Sequence, residues 1–391
     1  MKKIFFLVGV FLLSAWVLRA QEKEEGFQFK ELKRLPATCV KSQDRAGTCW
    51  AWSTVSFFES EVMRLGKDSV SLAPMFVVRN TYTKKGDKYV RLHGYLNFGE
   101  GGSAVDVQWV MKHSGIVPLD VYPGLEYGEK QHVHGEMNGI LKNYVDAVVK
   151  DENRKITPVW NNGYEKVLDA YLGKKPESFV RNGKSYTPQS YLKELGLNMD
   201  DYVCLTSLTN EPYYAPHIFE SPDNWLWGQV YNLPLDEFIT VLDGAIDKGY
   251  SFGWSADVSE KGFGRKGVAT VPVTDVKEMA GSDMARWLSL SPKERESELY
   301  DKPGKEKLIT PEMRQEAFDN YQTTDDHAMH IVGKAVDQAG NKYFIVKNSW
   351  GKYGPYDGYF YASYPYVAYK TTTVIVNKHA LPDALRAKMG I

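Results

Sequence analysis

The chain has 391 residues, long enough for one large or two modest domains with an ample core. Its 48 basic and 49 acidic side chains give a formal net charge of −1 at pH 7, which provides no general attraction to nucleic acid. Its three cysteines are too few for a dense disulfide framework, which excludes a small scaffold built on disulfides.

The amino terminus has the pattern of an export signal. Two lysines precede an apolar run that extends to Leu18, and a polar segment rich in Glu and Lys follows. The run is short for a permanent membrane span, so it predicts a signal peptide over residues 1–20 and an exported protein, periplasmic or extracellular after cleavage. A retained anchor is the alternative. Residues 21–35 form a charged leader, expected either to be mobile or to wrap around the fold.

A thiol stands where a turn gives way to a long apolar helix. Cys49 begins a helix predicted to end near Leu65, and the amide groups and positive dipole end of a helix N-terminus lower the pKa of a cysteine. Gly47 allows a tight turn just before it. Gln43 can supply a side-chain N–H which, with the backbone N–H of Cys49, would hold the oxyanion of a tetrahedral intermediate. The alternative interpretation is a buried core cysteine.

A glycine pair, Gly101 and Gly102, precedes Ser103, a predicted helix N-cap. Without side chains, the pair lets a substrate backbone approach and form strand-like hydrogen bonds with main-chain groups. In isolation such a pair is more simply a turn. Just before it, the charged stretch 84–95 is predicted to be a solvated loop.

The middle of the chain, about residues 120–320, has mostly helical spacing. Helices are predicted over 164–171, 190–195 and 236–248 and from Ser291 and Thr310 onward, and a core strand over 252–258. His132 and His134 could hold a metal on one strand face. Because no Cys, Asp or Glu lies at ligand spacing, we interpret them as surface polar residues and expect neither a metal nor a cofactor.

Two apolar runs near the end of the chain carry a histidine and an asparagine. His327 heads the first run and Asn348 closes the second, and both read as strands that can pair antiparallel. The Asn348 oxygen would accept the ring N–H, fixing the tautomer that points the other nitrogen at the thiol, while Trp350 shields that bond from water. His330 falls on the opposite strand face and is predicted to be structural.

Taken together, these blocks resemble the papain-like cysteine peptidases. The matching residues, in chain order, are Gln43, Gly47, Cys49-Trp50-Ala51, Asp326-His327-Ala328 and Asn348-Ser349-Trp350-Gly351. His327 lies roughly 280 residues after Cys49, far beyond the spacing of compact papain-type enzymes. The extra length resembles the bleomycin hydrolase and aminopeptidase C branch, over roughly residues 35–380.

The resemblance implies an α+β papain-like fold. A helical left half over 36–125 would carry the catalytic helix, a large and mostly helical insertion with the start of the right half would span 126–320, and an antiparallel, β-barrel-like right half would span 321–380. The implied catalytic residues are Cys49, His327, Asn348 and Gln43. The implied substrate-binding residues are Gly101, Gly102, Trp350 and Asp326.

The resemblance also implies an activity, the hydrolysis of peptide bonds by a Cys-His-Asn mechanism, with aminopeptidase action favoured. In this branch a carboxy-terminal arm enters the cleft and restricts it to exopeptidase action within a hexamer. Residues 381–391 would be that arm, either reaching the cleft to bind a substrate amine or leaving it open for endopeptidase action. The expected partners are peptide substrates and further copies of the chain, and nucleic acid is not expected.

Two other classes of protein fit these residues less well than a peptidase does. A transglutaminase-like acyltransferase also uses a Cys-Trp pair, but its third member is normally Asp and it lacks the Asn-Ser-Trp-Gly block. A non-catalytic peptide- or nucleic-acid-binding relative would be expected to have lost Cys49, Gln43 or His327. Cys39 and Cys204 could pair in an oxidising compartment, although unpaired buried thiols are the favoured expectation.

Overall fold

The computed structural model describes residues 26–152, 155–264, 266–274 and 282–391. The predicted signal peptide lies outside this part of the chain. Among the described residues, no helix combines the length and the apolar character that a membrane span requires.

Helices dominate the first half of the chain. They are α1 (Cys49–Arg64), α2 (Pro74–Arg91), α3 (Ala104–Ser114), α4 (Gly135–Val149), α5 (Val159–Leu172) and α6 (Pro188–Glu194). α1 is buried along almost its whole length, with a core of aromatic and β-branched residues around it. The predicted helix from Cys49 is therefore confirmed.

The solvated loop predicted over 84–95 is wrong for most of its length, because α2 continues to Arg91. Lys85 on this helix is buried, and its ammonium group donates to the backbone oxygens of Gly99 (2.9 Å) and Gly101 (2.6 Å). A buried charge is tolerated when hydrogen bonds satisfy it, so the charged stretch can remain helical inside the fold.

Later helices alternate with strands. The remaining helices are α7 (Leu235–Asp247), α8 (Ser282–Ser289), α9 (Pro292–Tyr300), α10 (Pro311–Asp319), α11 (Tyr364–Lys370) and α12 (Asp383–Met389). The predicted helix starts are confirmed, since the hydroxyl groups of Ser291 and Thr310 accept hydrogen bonds from the backbone N–H groups of Glu294 and Met313. The strand predicted over 252–258 is confirmed as Phe252–Ala256.

Ten strands form one sheet in the described part of the chain, and two further strands form a small hairpin. The strands are β1 (Phe29–Arg34), β2 (Phe179–Arg181), β3 (Lys184–Tyr186), β4 (Tyr202–Thr206), β5 (Pro216–Ile218), β6 (Gln229–Asn232), β7 (Phe252–Ala256), β8 (Val268–Ala269), β9 (His327–Asp337), β10 (Lys342–Lys347), β11 (Tyr359–Ser363) and β12 (Thr371–Asn377). The order in the large sheet is β5-β6-β4-β12-β7-β9-β10-β11-β8. The pairs β4–β6 and β8–β11 are parallel and the other pairs are antiparallel. The α+β prediction is confirmed.

The leader and the insertion both contribute to this sheet. β1 pairs with β9, from Phe29 opposite Asp337 to Arg34 opposite Gly333, so the described part of the leader wraps around the fold as a strand. β4, β5 and β6 lie in the stretch expected to be mostly helical, and the sheet continues across the predicted boundary at residue 320. Because these strands are short, their sequence pattern could not be distinguished from that of the neighbouring helices.

The central strand β9 is buried on both faces. Ala328 belongs to the core around α1, whereas Met329 and Ile331 belong to a second core that includes α7, α11 and α12. This alternation follows from the two-residue repeat of a strand. The N-terminus of α1, the start of β9 and the end of β10 meet at one place, and the predicted catalytic residues lie there.

Candidate active site

The nucleophile loop is tied to the loop that carries the glycine pair. Cys49 is half-buried as the first residue of α1. Just before it, the Gly47 N–H donates to the Glu100 carboxylate (2.5 Å), and the indole N–H of Trp50 donates to the Glu100 backbone oxygen (3.0 Å). Glu100 directly precedes Gly101, so these two bonds hold the glycine pair beside the thiol.

Gln43 bridges the nucleophile loop to the segment after β10. Its Oε1 accepts a hydrogen bond from Ser349 Oγ (2.7 Å), and its Nε2 donates to the Ala46 backbone oxygen (2.9 Å). The backbone N–H of Gln43 also donates to the Ser349 oxygen (2.8 Å). Because a side-chain amide carries two hydrogens and Ala46 takes one, the other can serve an oxyanion.

His327 and Asn348 meet as the strand prediction required. β9 and β10 pair antiparallel, and the Nε2 of His327 lies 2.8 Å from the Oδ1 of Asn348. The amide is itself fixed, because its Nδ2 donates to the Tyr353 hydroxyl (3.0 Å). The Trp350 ring stacks on the imidazole with centroids 4.6 Å apart. An acceptor on Nε2 selects the tautomer that leaves Nδ1 free to act as a base.

One cleft of about 350 Å³ brings most of the predicted site residues together. Its walls include the following predicted residues: Gln43, Cys49, Gly101, Gly102, Asp326, His327 and Trp350. Asn348 does not line this cleft, but it contacts His327 through the hydrogen bond described above. The backbone of Ala328, next to His327, acts to lower the pKa of the Cys49 thiol.

Sequence reasoning missed two carboxylates of the cleft wall, Asp223 and Asp325. Asp325 directly precedes the Asp326-His327-Ala328 block, so its position was a usable signal. Asp223 lies in a surface turn with no local signature, and only the folded chain brings it to Gly101. An ideal Cβ built on Gly101 would lie 2.1 Å from its Oδ2, so a larger residue at position 101 would require the Asp223 carboxylate to move.

Burial keeps both reacting groups neutral when each is considered alone. It raises the pKa of Cys49 to about 12, against the opposing effect of hydrogen bonds from the Ala328 and Trp50 backbone. It lowers the pKa of His327 to about 4, although the bond to Asn348 acts in the other direction. The lowered Cys49 pKa expected from the helix N-terminus is therefore outweighed by desolvation. A thiolate can form here only as its proton moves to the imidazole, since the two ions then neutralise each other.

The structure confirms the position predicted for His330 but not those predicted for His132 and His134. His330 is fully buried with Nδ1 3.0 Å from Ser56 Oγ of α1, a structural position as expected. The prediction that His132 and His134 are surface polar is wrong, because both are buried and the His132 ring contacts Trp52 and His134. Backbone pairing of residues 132–133 with the nucleophile loop draws them inside, and their spacing alone does not reveal that contact. Among the described residues, no three His, Cys, Asp or Glu side chains form a metal-binding group.

The remaining cysteines are unpaired. Cys39 and Cys204 are both free thiols in this structure, as the favoured expectation of unpaired thiols required, but only one of them is buried. Cys204 is buried as expected, but Cys39 is exposed because it lies in the surface segment between β1 and the nucleophile loop.

The carboxy-terminal arm packs away from the cleft. Leu381, Leu385 and Met389 belong to the second core, and Lys388 lies 3.3 Å from the Glu237 carboxylate on α7. None of the described residues 381–391 lines the cleft. Of the two expectations for this arm, an open cleft is the one seen here.

The fold and the site resemble those of the papain-like cysteine peptidases. Residues 294–390 match the model of the peptidase C1-like family. Aminopeptidase C from Lactococcus lactis subsp. cremoris is 22% identical over 386 residues, which cover 88% of this chain and 81% of that protein. Aminopeptidase G from Lactobacillus delbrueckii subsp. lactis is 22% identical over 394 residues, covering 89% and 82%. Within the class, these similarities support the bleomycin hydrolase and aminopeptidase C branch that the ordered motifs indicated.

The fold agrees with that of a solved structure. The crystal structure of PepW from Lactobacillus rhamnosis matches with a TM-score of 0.69 at 19% sequence identity, covering 92% of this chain and 84% of that one. At this identity the match establishes the shared fold.

Proposed function

We propose that this protein is a cysteine aminopeptidase in which Cys49 is the nucleophile, His327 the general acid and base, Asn348 the orienting residue and Gln43 an oxyanion donor. One observation carries the proposal. Cys49, His327 and Gln43 line the same cleft, and Asn348 fixes His327 through a 2.8 Å hydrogen bond. A nucleophile, a base and a third group that orients the base are the parts that covalent hydrolysis requires.

In acylation, Nδ1 of His327 takes the thiol proton as Sγ of Cys49 forms a bond to the substrate carbonyl carbon. The carbonyl oxygen becomes an oxyanion held by the Cys49 N–H and the Gln43 Nε2–H. His327 then gives its proton to the leaving amine as the C–N bond breaks, which leaves a thioester. In deacylation His327 takes a proton from water, whose oxygen attacks the thioester, and returns it to the departing sulfur.

Peptide substrates fit the remaining walls of the cleft. Gly101 and Gly102 can form main-chain hydrogen bonds with an extended substrate, and Trp350 offers a half-exposed aromatic surface beside the imidazole. Asp326 adds negative charge at the rim.

Removal of single residues from a free amino terminus is supported by the names of the relatives and by the acidic walls of the cleft. The alternative is an endopeptidase with an open papain-like cleft. That alternative is favoured by one observation, namely that residues 381–391 pack against the second core.

The two activities are separated by paired fluorogenic substrates that differ only in an acetyl group on the amino terminus. We expect the free-amine substrate to be cleaved and the blocked one to be spared. Rapid cleavage of the blocked substrate would identify an endopeptidase. Cys49→Ala is the control for both, since it removes the nucleophile, and full activity in this variant would refute the cysteine mechanism.

We also propose that the protein is exported and assembles into a homo-oligomer, a hexamer by family resemblance. Export is supported by the basic and apolar pattern of residues 1–20. Cell fractionation with amino-terminal sequencing of the processed protein tests the location. Light scattering of the purified protein tests the assembly, and a monomer mass would refute the oligomer.

A further inference from the structure

We propose that Asp223 binds the α-ammonium group of the substrate, so that a carboxylate of the cleft wall recognises the free amino terminus. The inference rests on the proposed aminopeptidase function and names the residue behind its specificity.

The charge of the cleft is one-sided. Three aspartates, Asp223, Asp325 and Asp326, line it, and none of its described lining residues is a lysine or an arginine. A cleft with one sign of charge and low-dielectric walls attracts the opposite charge, and the peptide group that always offers a cation is a free amino terminus.

Two of the three carboxylates already serve the fold. The Asp325 oxygens accept hydrogen bonds from Ser221 Oγ (3.1 Å) and Thr372 Oγ1 (2.8 Å). The Asp326 oxygens accept from Thr324 Oγ1 (2.6 Å) and from the backbone N–H of Val258 (3.3 Å). In each case both oxygens have a donor from the chain.

Asp223 is differently placed. Its Oδ1 accepts a hydrogen bond from Asn97 Nδ2 (3.1 Å), while its Oδ2 is the atom nearest to the position that a Cβ on Gly101 would occupy. The carboxylate thus faces the glycine pair where a substrate backbone would lie, in the same cleft as Cys49. Burial raises the pKa of Asp223 against the opposing effects of the nearby Lys85 charge and the Asn97 bond, and a bound ammonium group would offset more of that cost of desolvation.

The loop that presents Asp223 is firmly held. The buried Asn224 side chain donates to the backbone oxygens of Phe219 (2.7 Å) and Gly228 (3.0 Å) and accepts from the Gly228 N–H (2.8 Å). Asn97 Nδ2 also donates to the Pro222 oxygen (3.0 Å). A carboxylate on a loop fixed at several points binds a cation without first losing conformational entropy.

The test replaces Asp223 by Asn, which keeps its shape and removes its charge. For an aminoacyl fluorogenic substrate with a free amine, we expect kcat/KM to fall roughly 30- to 100-fold, mainly through KM, because a partly buried charge pair is lost. Turnover of the amino-acetylated substrate is expected to stay level or rise. Glu220→Gln is the matched control, since Glu220 is exposed on the same loop and loses the same charge.

A second measurement needs no turnover. In a Cys39→Ser background, which removes the exposed thiol, Cys49 is modified with a cationic aminoethyl and with a neutral methyl methanethiosulfonate, and the ratio of the two rates reports the charge near the Cys49 thiol. We expect Asp223→Asn to lower this ratio while the neutral reagent reacts at the wild-type rate, which also verifies an intact cleft. Asp223→Ser, a smaller neutral replacement, should behave in the same way.

The outcomes distinguish this inference from the proposed function. If the wild-type enzyme requires a free amine and Asp223→Asn keeps that preference and the same labelling ratio, the role of Asp223 is refuted while the aminopeptidase stands. If the wild-type enzyme instead prefers blocked peptides, the aminopeptidase proposal itself fails, whatever the variant does.

Discussion

At the scale of single residues, Asn348 is the residue whose role can be isolated most cleanly. It accepts from His327 Nε2 and donates to the Tyr353 hydroxyl, so it sets both the tautomer and the direction of the ring. We expect Asn348→Ala to lower kcat about 10- to 100-fold, the usual effect of losing a partner that orients a functional histidine. Cys49→Ala should be far more damaging in the same assay.

Tyr353→Phe is the matched control for Asn348. It keeps the ring and removes only the hydroxyl that accepts from Asn348 Nδ2, while the bond between His327 and Asn348 remains, so kcat should fall much less than in Asn348→Ala. If Asn348→Ala turned over substrate within two-fold of the wild type, the orienting role would be contradicted.

Gln43 allows a second test at this scale, because it has a structural and a chemical role. Gln43→Glu keeps an acceptor for Ser349 but replaces the Nε2 donor by an oxygen. We expect a loss of about 10²- to 10³-fold in kcat, as when one oxyanion donor is removed. Ser349→Ala removes only the bond to Gln43 Oε1 and should have a much smaller effect on kcat. Equal losses in the two variants would show that Gln43 acts only by holding the loop.

The residues that sequence could predict are those with a motif around them. Cys49, His327, Asn348 and Gln43 each stand in a short stretch whose neighbours are informative. Asp223 stands in an ordinary turn, and its proximity to Gly101 depends on the folded path of the chain between them. The raised pKa of the Cys49 thiol is another feature that the sequence does not reveal, because desolvation depends on how the folded chain packs around the thiol.

At the scale of elements, the pairing of β1 with β9 depends on one small residue. An ideal Cβ on Gly333 would lie 2.4 Å from the backbone oxygen of Lys33 and 3.1 Å from Arg34 Cα. Gly333→Val should therefore push β1 away and lower the free energy of unfolding by about 1–3 kcal/mol, the usual range for overpacking. Urea unfolding measures the loss, and hydrogen exchange should show faster exchange over residues 29–34.

Gly139→Ala is the control for Gly333. Gly139 lies in α4 with nothing within 4 Å of an added Cβ, so alanine should leave stability unchanged or raise it by about 0.5–1 kcal/mol through helix propensity. Unchanged stability and exchange in Gly333→Val would contradict the close packing of the two strands.

Element prediction succeeded where a periodic pattern was long and failed where a tertiary contact decided the outcome. α1 and α7 show helical spacing over more than three turns, and both were found. β5 and β6 have three and four residues, too few for a pattern. The charged end of α2 looked like a loop because the carbonyl groups that satisfy Lys85 lie in a different segment.

At the scale of the whole molecule, the leader, the insertion and the right half share one sheet. β1, β4 and β7 lie far apart in the sequence, yet all pair within the sheet that includes β9 and β12. No single segment of the chain contains the information for that convergence, so the strands contributed by the leader and the insertion were not predicted. The ordered motifs predicted the class correctly, and the path between them had to come from the structure.

Buried titratable groups make the free energy of unfolding of the whole molecule depend on pH. Burial lowers the pKa of His134 and that of His327 to about 4, from an ordinary value of 6.5. Because the unfolded chain then binds more protons, their contribution to stability is complete above pH 6.5 and is lost as the pH falls from 6.5 towards 4. Buried carboxyls act in the opposite sense, since burial raises the pKa of Asp106 and that of Glu306 to about 7. The change of the free energy of unfolding with pH is therefore a sum of contributions of both signs.

A variant at His134 separates one of these contributions. Neither ring nitrogen of His134 has a hydrogen-bond partner among the described residues, and the nearby His132 ring adds repulsion when both are charged. His134→Leu removes the titrating group. The difference in free energy of unfolding between the variant and the wild type should shift in favour of the variant by about 2 kcal/mol from pH 7.5 to pH 5, as linkage requires for this pKa change.

Urea unfolding at the two pH values measures this shift, and any constant packing effect of leucine cancels in the comparison. His113→Leu, the same change at an exposed position on α3, is the control for the substitution itself. An equal shift in the two variants, or none at His134, would contradict the burial of a neutral imidazole behind the nucleophile loop. Such a result would also weaken the argument that desolvation keeps His327 neutral, since the same physical cause acts on both rings.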